Sequence, residues 1–425
     1  MTSYDVAIIG GGIVGSSAAL HLALRGSRVL LLERGRIGSQ ASGVNYGGVR
    51  RQGRHVAELP IAVRSRKIWE RLPELLGTDC EFAVSGHLKL AVTEAQMAEL
   101  QVYARDTIEF GLDLELIGKQ EIRRRYPYLG ENVVGGSFCP GDGHANPRLV
   151  APAFARAAAK AGAEAVEAAE VVQLAADGKS FDLRLADGRS FRAARLINAA
   201  GAWGSKIAET FGESIPEDVM APNMAVTEPL PYFIVPNIGV CGGGIYLRQI
   251  PRGNVIFGAG EGRADRDTIR ARPLPEVTAE AARLALALVP RLSSAHIIRT
   301  WSGIEGRMPD GIPVIGPSTS TPGLYHAFGF CGHGFQLGPA VGAILADLAL
   351  DGETTTPIDP FSVARFVKAE NSLNTAVRFQ AESGGRRGLH GSRGAAEHLP
   401  RSTPGSVKAA YLDSFLRHLH ITYRG

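Results

Sequence analysis

Between residues 4 and 33 the chain reads as strand, glycine turn, helix and strand, and the spacing of those glycines constrains the fold more than any other feature of the 425 residues. Residues 4–9 are a short β-rich apolar run, broken by Gly10-Gly11-Gly12-Ile13-Val14-Gly15. Residues 16–25 have helical spacing, Gly26 ends that helix, and residues 27–32 form a second apolar strand closed by Glu33. This is a βαβ unit with G-x-G-x-x-G in its first turn. Gly10 makes the tight turn, Gly12 lets backbone amides approach a pyrophosphate, and Gly15 lets the helix lie close on the strand. Glu33 follows Gly15 by 18 residues, placed to accept hydrogen bonds from a ribose diol. A carboxylate there disfavours a 2′-phosphate, which makes NADP the least fitting occupant. A nucleotide-free α/β unit has no need of three glycines in this register.

Composition narrows the class. With 45% hydrophobic and 21% charged residues the chain buries a sizeable core and is neither disordered, collagen-like nor a coiled coil. Its length suits two or three domains. Cys80, Cys139, Cys241 and Cys331 lie far apart without a C-x-x-C, so no zinc or iron-sulfur site is read from their spacing, and they read as buried thiols of a reducing compartment. The net charge of +4 resides in the C-terminal stretch, where from residue 380 onward seven Lys or Arg face three acids. The remaining body is balanced, which gives no electrostatic reason to expect nucleic acid. No apolar run reaches the roughly 18 residues of a membrane span, and no basic leader precedes the first strand. The expectation is a cytoplasmic protein, with attachment at a membrane through a partner as the alternative.

Residues 35–54 are rich in Gly, Ser and Arg, a loop able to wrap phosphates and a flavin ring. Residues 82–92 alternate as a strand and 94–110 form an exposed helix, so residues 57–134 read as an inserted unit. An alanine-rich helix at 148–161 leads to a strand around Val171, then a hairpin at 181–191 turned by Asp187-Gly188. Residues 196–203 run from a strand into a small-residue turn. Short strands between 219 and 260 and a helix at 277–288 make a second sheet with its helix. A strand at 324–327 then enters Gly329-Phe330-Cys331-Gly332-His333-Gly334-Phe335 and a helix at about 337–350, so amides at the helix start can hold an anionic group. Periodicity dissolves after about residue 374, apart from a short helix expected at 407–419, and residues 373–425 read as a weakly ordered tail.

Four blocks in order, the N-terminal βαβ ending in Glu33-Arg34, Ile197-Asn198-Ala199-Ala200-Gly201-Ala202-Trp203, Pro309-Asp310-Gly311-Ile312-Pro313-Val314-Ile315-Gly316 and Gly329 to Gln336, resemble the D-amino acid oxidase and sarcosine oxidase superfamily of FAD-dependent amine oxidoreductases. The resemblance covers roughly residues 4 to 370. The run from Asn45 to Arg54, followed by Glu58-Leu59-Pro60, looks most like the FAD (β-type) subunits of sarcosine oxidase, hydrogen cyanide synthase, and the opine and D-hydroxyproline dehydrogenases.

The resemblance implies an α/β fold in which a Rossmann-like FAD-binding domain, from residues 1–50, 140–218 and 296–372, is interleaved with an α+β substrate domain built on a mixed sheet, from 51–139 and 219–295. FAD would lie lengthwise and non-covalently, with Gly10, Gly12, Ile13, Val14 and Gly15 at the pyrophosphate, Glu33 and Arg34 at the adenosine, Ser42 near the phosphates and Val171 beside the adenine. Ala200, Gly201 and Trp203 belong to a second cofactor block. Gly47 and Gly48 would approach the isoalloxazine ring. Gly329, Gly332, His333, Gly334, Phe335 and Gln336 would border its N1 and O2 side, where negative charge develops on reduction. The chemistry implied is hydride removal from the carbon beside a neutral amine to flavin N5, giving an imine that hydrolyses, with no catalytic protein acid or base required.

Departures from the family bear on substrate and acceptor. Where glycine oxidase carries a carboxylate-binding arginine this chain has Glu305, where monomeric sarcosine oxidase carries a lysine it has Gln336, and the covalent flavin cysteine of that enzyme falls at Gly303. A substrate carboxylate therefore needs another cation, for which Arg50, Arg51, Arg248 and Arg307 are candidates, each equally readable as a surface or phosphate pair. Glu305 is placed to hold a cationic amine, or else to pair with Arg307. Tyr246 either lines the pocket or packs, and His333 reads as a backbone contributor rather than a base. No lysine stands between Lys206 and Lys368 to assist oxygen. These features favour a dehydrogenase of an amino or imino acid (sarcosine, proline, hydroxyproline or opine-like), working as the β-type subunit of a hetero-oligomer whose other polypeptide carries further redox centres. A stand-alone oxidase, a nicotinamide dehydrogenase and a catalytically degraded flavin-holding protein are the alternatives.

Overall fold

The computed structural model describes residues 3–366; the tail from residue 373 and the helix expected at 407–419 lie outside them. The βαβ unit comprises strand β1 (Ser3–Ile9), helix α1 (Ile13–Leu24) and strand β2 (Val29–Leu32). β1 and β2 are parallel, with Val6 opposite Val29 and Ile9 opposite Leu32. Both strands are apolar on both faces, as expected of a parallel sheet covered on each side. Gly26, at φ +82°, ends the helix in the left-handed conformation that a side chain would disfavour.

The first sheet runs in the order Val314–Pro317, Leu324–Phe328, Ser190–Asn198, β1, β2, Glu164–Val166. Along this row the pairs are parallel except at the Val314–Pro317 edge, and an antiparallel branch, Phe181–Leu185 with Val171–Ala176, joins at Ser190–Asn198. The hairpin expected around Asp187-Gly188 is present, Phe181–Leu185 pairing antiparallel with Ser190–Asn198. Helix α1 sits on this sheet under the long helix Gly334–Asp351, and the crossing is made by small residues. A Cβ on Gly338 would meet the Ile13 side chain at 2.6 Å, and one on Gly342 would meet the Ala18 nitrogen at 2.5 Å. Around the crossing, Val14, Leu22, Val341 and Ile344 are buried, each contributing about 1.5–3 kcal/mol.

The second sheet has the order Ile297–Ser302, Pro222–Pro229, Asn254–Glu261, Tyr246–Gln249, Asn237–Val240, His87–Ala91, Gly135–Cys139, Glu115–Gly118. It is mixed, antiparallel except where Asn237–Val240 lies parallel to His87–Ala91. Its core face carries Leu88, Leu90, Ile238, Leu247, Val255 and Phe257 against helix Pro275–Leu288. The opposite face turns toward the loop at residues 45–54. The loop read at residues 35–54 contains more structure than its composition suggests, a short helix Ala41–Val44 and a two-residue ladder, Gly48–Val49 with Gly143–His144.

Candidate functional site

At the C-terminal ends of β1 and β2 the glycine turn is shaped by backbone contacts that exclude side chains. Gly10 has φ +108°, and a Cβ on it would lie 2.3 Å from the Ala199 carbonyl oxygen. One on Gly15 would lie 2.0 Å from the Gly10 carbonyl oxygen, which is the close helix approach that its place in the motif requires. Helix α1 starts at Gly12 without a side-chain cap, and Gly12, Ile13 and Val14 border an open cleft. Ser42 Oγ accepts the Ile13 amide at 2.9 Å and stands 3.0 Å from where a Gly12 Cβ would be.

Glu33 lines the same cleft, its carboxylate accepting the amides of Gly11 and Gly35 at 2.8 Å each. Beyond it, Arg34 stacks on Trp203 with its guanidinium carbon 3.7 Å from the ring centroid. The Arg34 Nη2 is buried without a hydrogen-bond partner, and burial lowers the guanidinium's pKa. Val171, Ala200 and Gly201 border this end too, together with Ala169, Glu170 and Leu174. A glycine cradle that any Cβ would fill and an orphaned guanidinium nitrogen facing the cleft are what a dinucleotide site leaves when its ligand is not counted, so the residues fit FAD.

The opposite end of the cleft is made by Glu305, Gly306 and Gly329 with Gly332, Gly334 and Phe335 at the start of helix Gly334–Asp351. Glu305 is partly buried, and a Cβ on Gly332 would lie 3.8 Å from its Oε2. Burial pushes the Glu305 carboxyl up to about 7, with the Gly332 amide opposing and Glu261 adding to the rise. Tyr246 lies within the field of Glu305; burial first, then that carboxyl, raises its hydroxyl pKa. The Tyr246 ring meets Tyr46 edge-on at 5.0 Å, and its hydroxyl donates to Met224 sulfur at 3.2 Å.

Several expected contributors stand elsewhere, each for a visible reason. Arg307 does not pair with Glu305; its guanidinium reaches out to Glu261 at 2.8 Å and Asp218 at 3.3 Å. Arg51 is committed to buried Asp142 at 3.1 Å. Gln336 is buried inside the long helix, turned away from the cleft, and donates to the Ala62 carbonyl at 2.9 Å. Gly47 and Gly48 support the loop instead of lining the cleft, Gly47 under Ala145 and Arg248, Gly48 in its ladder. Arg248 is buried, donating to the carbonyls of Tyr46 and Ala145. His333 turns its ring to fully buried Glu58, Nδ1 to Oε2 at 2.8 Å, which leaves its backbone beside the cleft. The sequence reading missed Ser39, Asn45, Leu174, Lys206 and Cys331 as lining residues. Ser39 and Asn45 carried a signal in the polar loop, whereas Leu174 and Lys206 reach the cleft only through tertiary folding.

This architecture and cleft define a flavoprotein of the dinucleotide-binding α/β class. Residues 5–348 match the family described as FAD dependent oxidoreductase (DAO), and the chain belongs to it. FAD is the cofactor of that family. The chain is 31% identical over 375 residues to the glycine oxidase of Geobacillus kaustophilus, covering 86% of this chain and 97% of that one. It is 28% identical to one of the opine oxidase subunits of Rhizobium meliloti, covering 86% and 98%. Among solved structures it resembles an L-proline dehydrogenase from P. horikoshii, with a TM-score of 0.81 at 29% identity, covering 87% of this chain and 99% of that one.

Proposed function

We propose that this chain oxidises the C–N bond of an amino or imino acid with non-covalent FAD, as the flavin subunit of a larger dehydrogenase. The observation that carries the reading is Glu305, a desolvated carboxylate at the glycine-turn end of the cleft, opposite the end lined by Glu33 and Arg34. Bound FAD supplies an acceptor for the hydride leaving the carbon beside the amine. The protein's part is binding, orientation and exclusion of water. The amides at the start of α1 would hold the pyrophosphate, Glu33 the adenosine ribose, and Arg34 stacked on Trp203 the adenine. The amides at the N-terminus of helix Gly334–Asp351 would favour the negative charge that reduction brings to the ring. Glu305 holds the substrate nitrogen by a charge-assisted hydrogen bond to its carboxylate. Tyr46 and Tyr246, packed edge to face at 5.0 Å, would exclude water on the Glu305 side. The relatives support the substrate class: proteins named for glycine, opine and L-proline share this fold over nearly their whole length.

The multi-subunit arrangement draws on the opine oxidase relative and on the lysines. Lys206, the lysine that borders the cleft among the described residues, is at the Trp203 end and pairs with Asp267. The test is the visible spectrum of the purified protein, mixed anaerobically with sarcosine, D- and L-proline, D- and L-hydroxyproline, glycine and octopine, then opened to air. Bleaching by one of these identifies the substrate. Slow recovery in air supports electron transfer to a partner or quinone, and fast recovery with peroxide makes the protein a stand-alone oxidase. A protein without a flavin band after addition of FAD would overturn the whole assignment.

A further inference from the structure

The sheet face opposite the apolar core carries a cluster of cations that, among the described residues, have no carboxylate within 4.0 Å. Because Leu88, Leu90, Ile238 and Leu247 point into the core, the alternating residues His87, Lys89, Gly239, Tyr246 and Arg248 share the other face. The register sets Lys89 beside Gly239 and Gly239 beside Tyr246. Gly239 puts no side chain of its own between Lys89 and Tyr246, whose strands are two spacings, about 10 Å, apart, and the His87 ring lies 3.4 Å from where its Cβ would be. Tyr246 lies within the field of Glu305, so this face runs from the amine end of the site toward Lys89.

At the Lys89 end the loop adds Arg50 and Arg54. A Cβ on Gly53 would stand 2.7 Å from Lys89 Nζ and 3.4 Å from Arg50 Nη1, so the two cations flank one residue. Arg54 is buried, donating from Nε to the Arg50 carbonyl at 2.9 Å and from Nη1 to the His333 carbonyl at 3.5 Å, which ties the cluster to the glycine turn. Tyr103 hydroxyl accepts the amides of Gly53 and Arg54 at 3.0 Å each and keeps its own proton to donate. Among the described residues none of the three cations has a carboxylate within 4.0 Å, and Lys89 Nζ has no hydrogen-bond partner. Glu58, which acts on Arg54 and Arg50, is hydrogen-bonded to the His333 ring, Asp142, which acts on Arg54, pairs with Arg51, and Glu99, which acts on Lys89, accepts the Cys241 thiol at 3.3 Å. Burial and mutual repulsion show in the titration, which is lowered at Lys89 and falls to about 10 at Arg54. Desolvated like charges are unfavourable unless an anion arrives to pair with them, and three of them exceed what one carboxylate neutralises.

We infer that Arg50, Arg54 and Lys89 bind a second carboxylate of the substrate, so that the preferred substrates are dicarboxylic amino or imino acids. This rests on the amine-oxidising reading above. The test compares matched probes on the FAD-loaded full chain, iminodiacetate against sarcosine and N-methylglutamate against N-methylglutamine, with Kd taken from the concentration dependence of anaerobic flavin bleaching. In at least one pair the dicarboxylate binds about tenfold more tightly, and Lys89→Met, or Lys89→Gln as a second variant, reduces that preference to under about threefold. Equal binding within both pairs, or a preference that survives both substitutions, overturns the inference. Thermal unfolding with glutarate or butyrate at equal ionic strength reads the cluster without turnover. Glutarate raises the Tm of the unsubstituted protein more than butyrate does and loses that advantage in Lys89→Met, whereas equal shifts refute the site. Bleaching by none of the amines overturns the amine reading while this thermal comparison still decides the cluster.

Discussion

Replacing Gly10 by alanine tests the cradle where conformation and space act together. The position has φ +108°, where a side chain costs about 1–3 kcal/mol. Its Cβ would lie 2.3 Å from the Ala199 carbonyl oxygen, where ordinary contacts stay beyond 3.0 Å, so the two strand ends must part by about 0.7 Å. Overpacking of that kind adds about 1–3 kcal/mol, because Ala199 is itself hydrogen-bonded to Ile9 and cannot retreat freely. The combined loss is about 2–6 kcal/mol, a fall of about 2–7 °C in Tm for a chain of this size. Gly26→Ala is the control: its φ is +82° but nothing lies within 4 Å of the added Cβ, so only the conformational cost of about 1 kcal/mol applies. The assay is thermal unfolding with and without added FAD, together with flavin content after dialysis. In the unsubstituted protein a saturating excess of FAD adds about 2–3 kcal/mol by mass action, and Gly10→Ala loses that increment because the cradle has moved. If Gly10→Ala matched Gly26→Ala in Tm and retained its flavin, the steric account of the turn would be wrong.

Arg34→Ala removes the stack on Trp203 and the orphaned Nη2, so FAD affinity falls by about tenfold in equilibrium dialysis while Tm of the apoprotein changes little; unchanged affinity would remove Arg34 from the site. Glu305→Gln removes a carboxyl whose folded pKa is raised from its ordinary value to about 7, and stability carried by such a group is lost as pH rises between about 4.5 and 7. The ligand-free variant is therefore more stable than the unsubstituted protein at pH 8 in denaturant titrations, and cationic amines lose the rise in affinity with pH that ionised Glu305 provides. Glu213 behaves in the opposite sense. Burial works against its ionisation, but hydrogen bonds from His326 and Thr319 outweigh it and hold the carboxyl at about 2. The resulting stability, about 2–3 kcal/mol, is present above pH 4.5 and lost as pH falls toward 2, and Glu213→Gln flattens the acid limb of a Tm against pH profile. Gly342→Leu drives a side chain into the Ala18 nitrogen and Ser17 at the helix crossing and leaves the protein insoluble or unfolded by circular dichroism.

Local sequence determined the elements whose causes are local. The βαβ unit, the Asp187-Gly188 hairpin and the helix at the Gly332 turn were readable because apolar periodicity and glycine spacing act within a dozen residues, and Gly10, Gly15 and Glu33 follow from the geometry of a single turn. The family followed from four such blocks in order. Tertiary structure decided what depends on distant partners. Arg50, Arg51, Arg248 and Arg307 are equivalent as letters, yet Arg51 belongs to Asp142 and Arg307 to Glu261, because each guanidinium goes to the carboxylate that the fold brings within reach. Lys89 and Arg54 gave no signal in sequence, since a lysine in an alternating strand is ordinarily solvated. Only the pairing of Asn237–Val240 with His87–Ala91 on one side and Tyr246–Gln249 on the other sets that lysine beside Gly239, and the fold brings the Arg50 loop within reach of it. Desolvation is a property of the assembled face, so neither the raised carboxyl of Glu305 nor the clustered cations around Lys89 are visible before the sheet is formed.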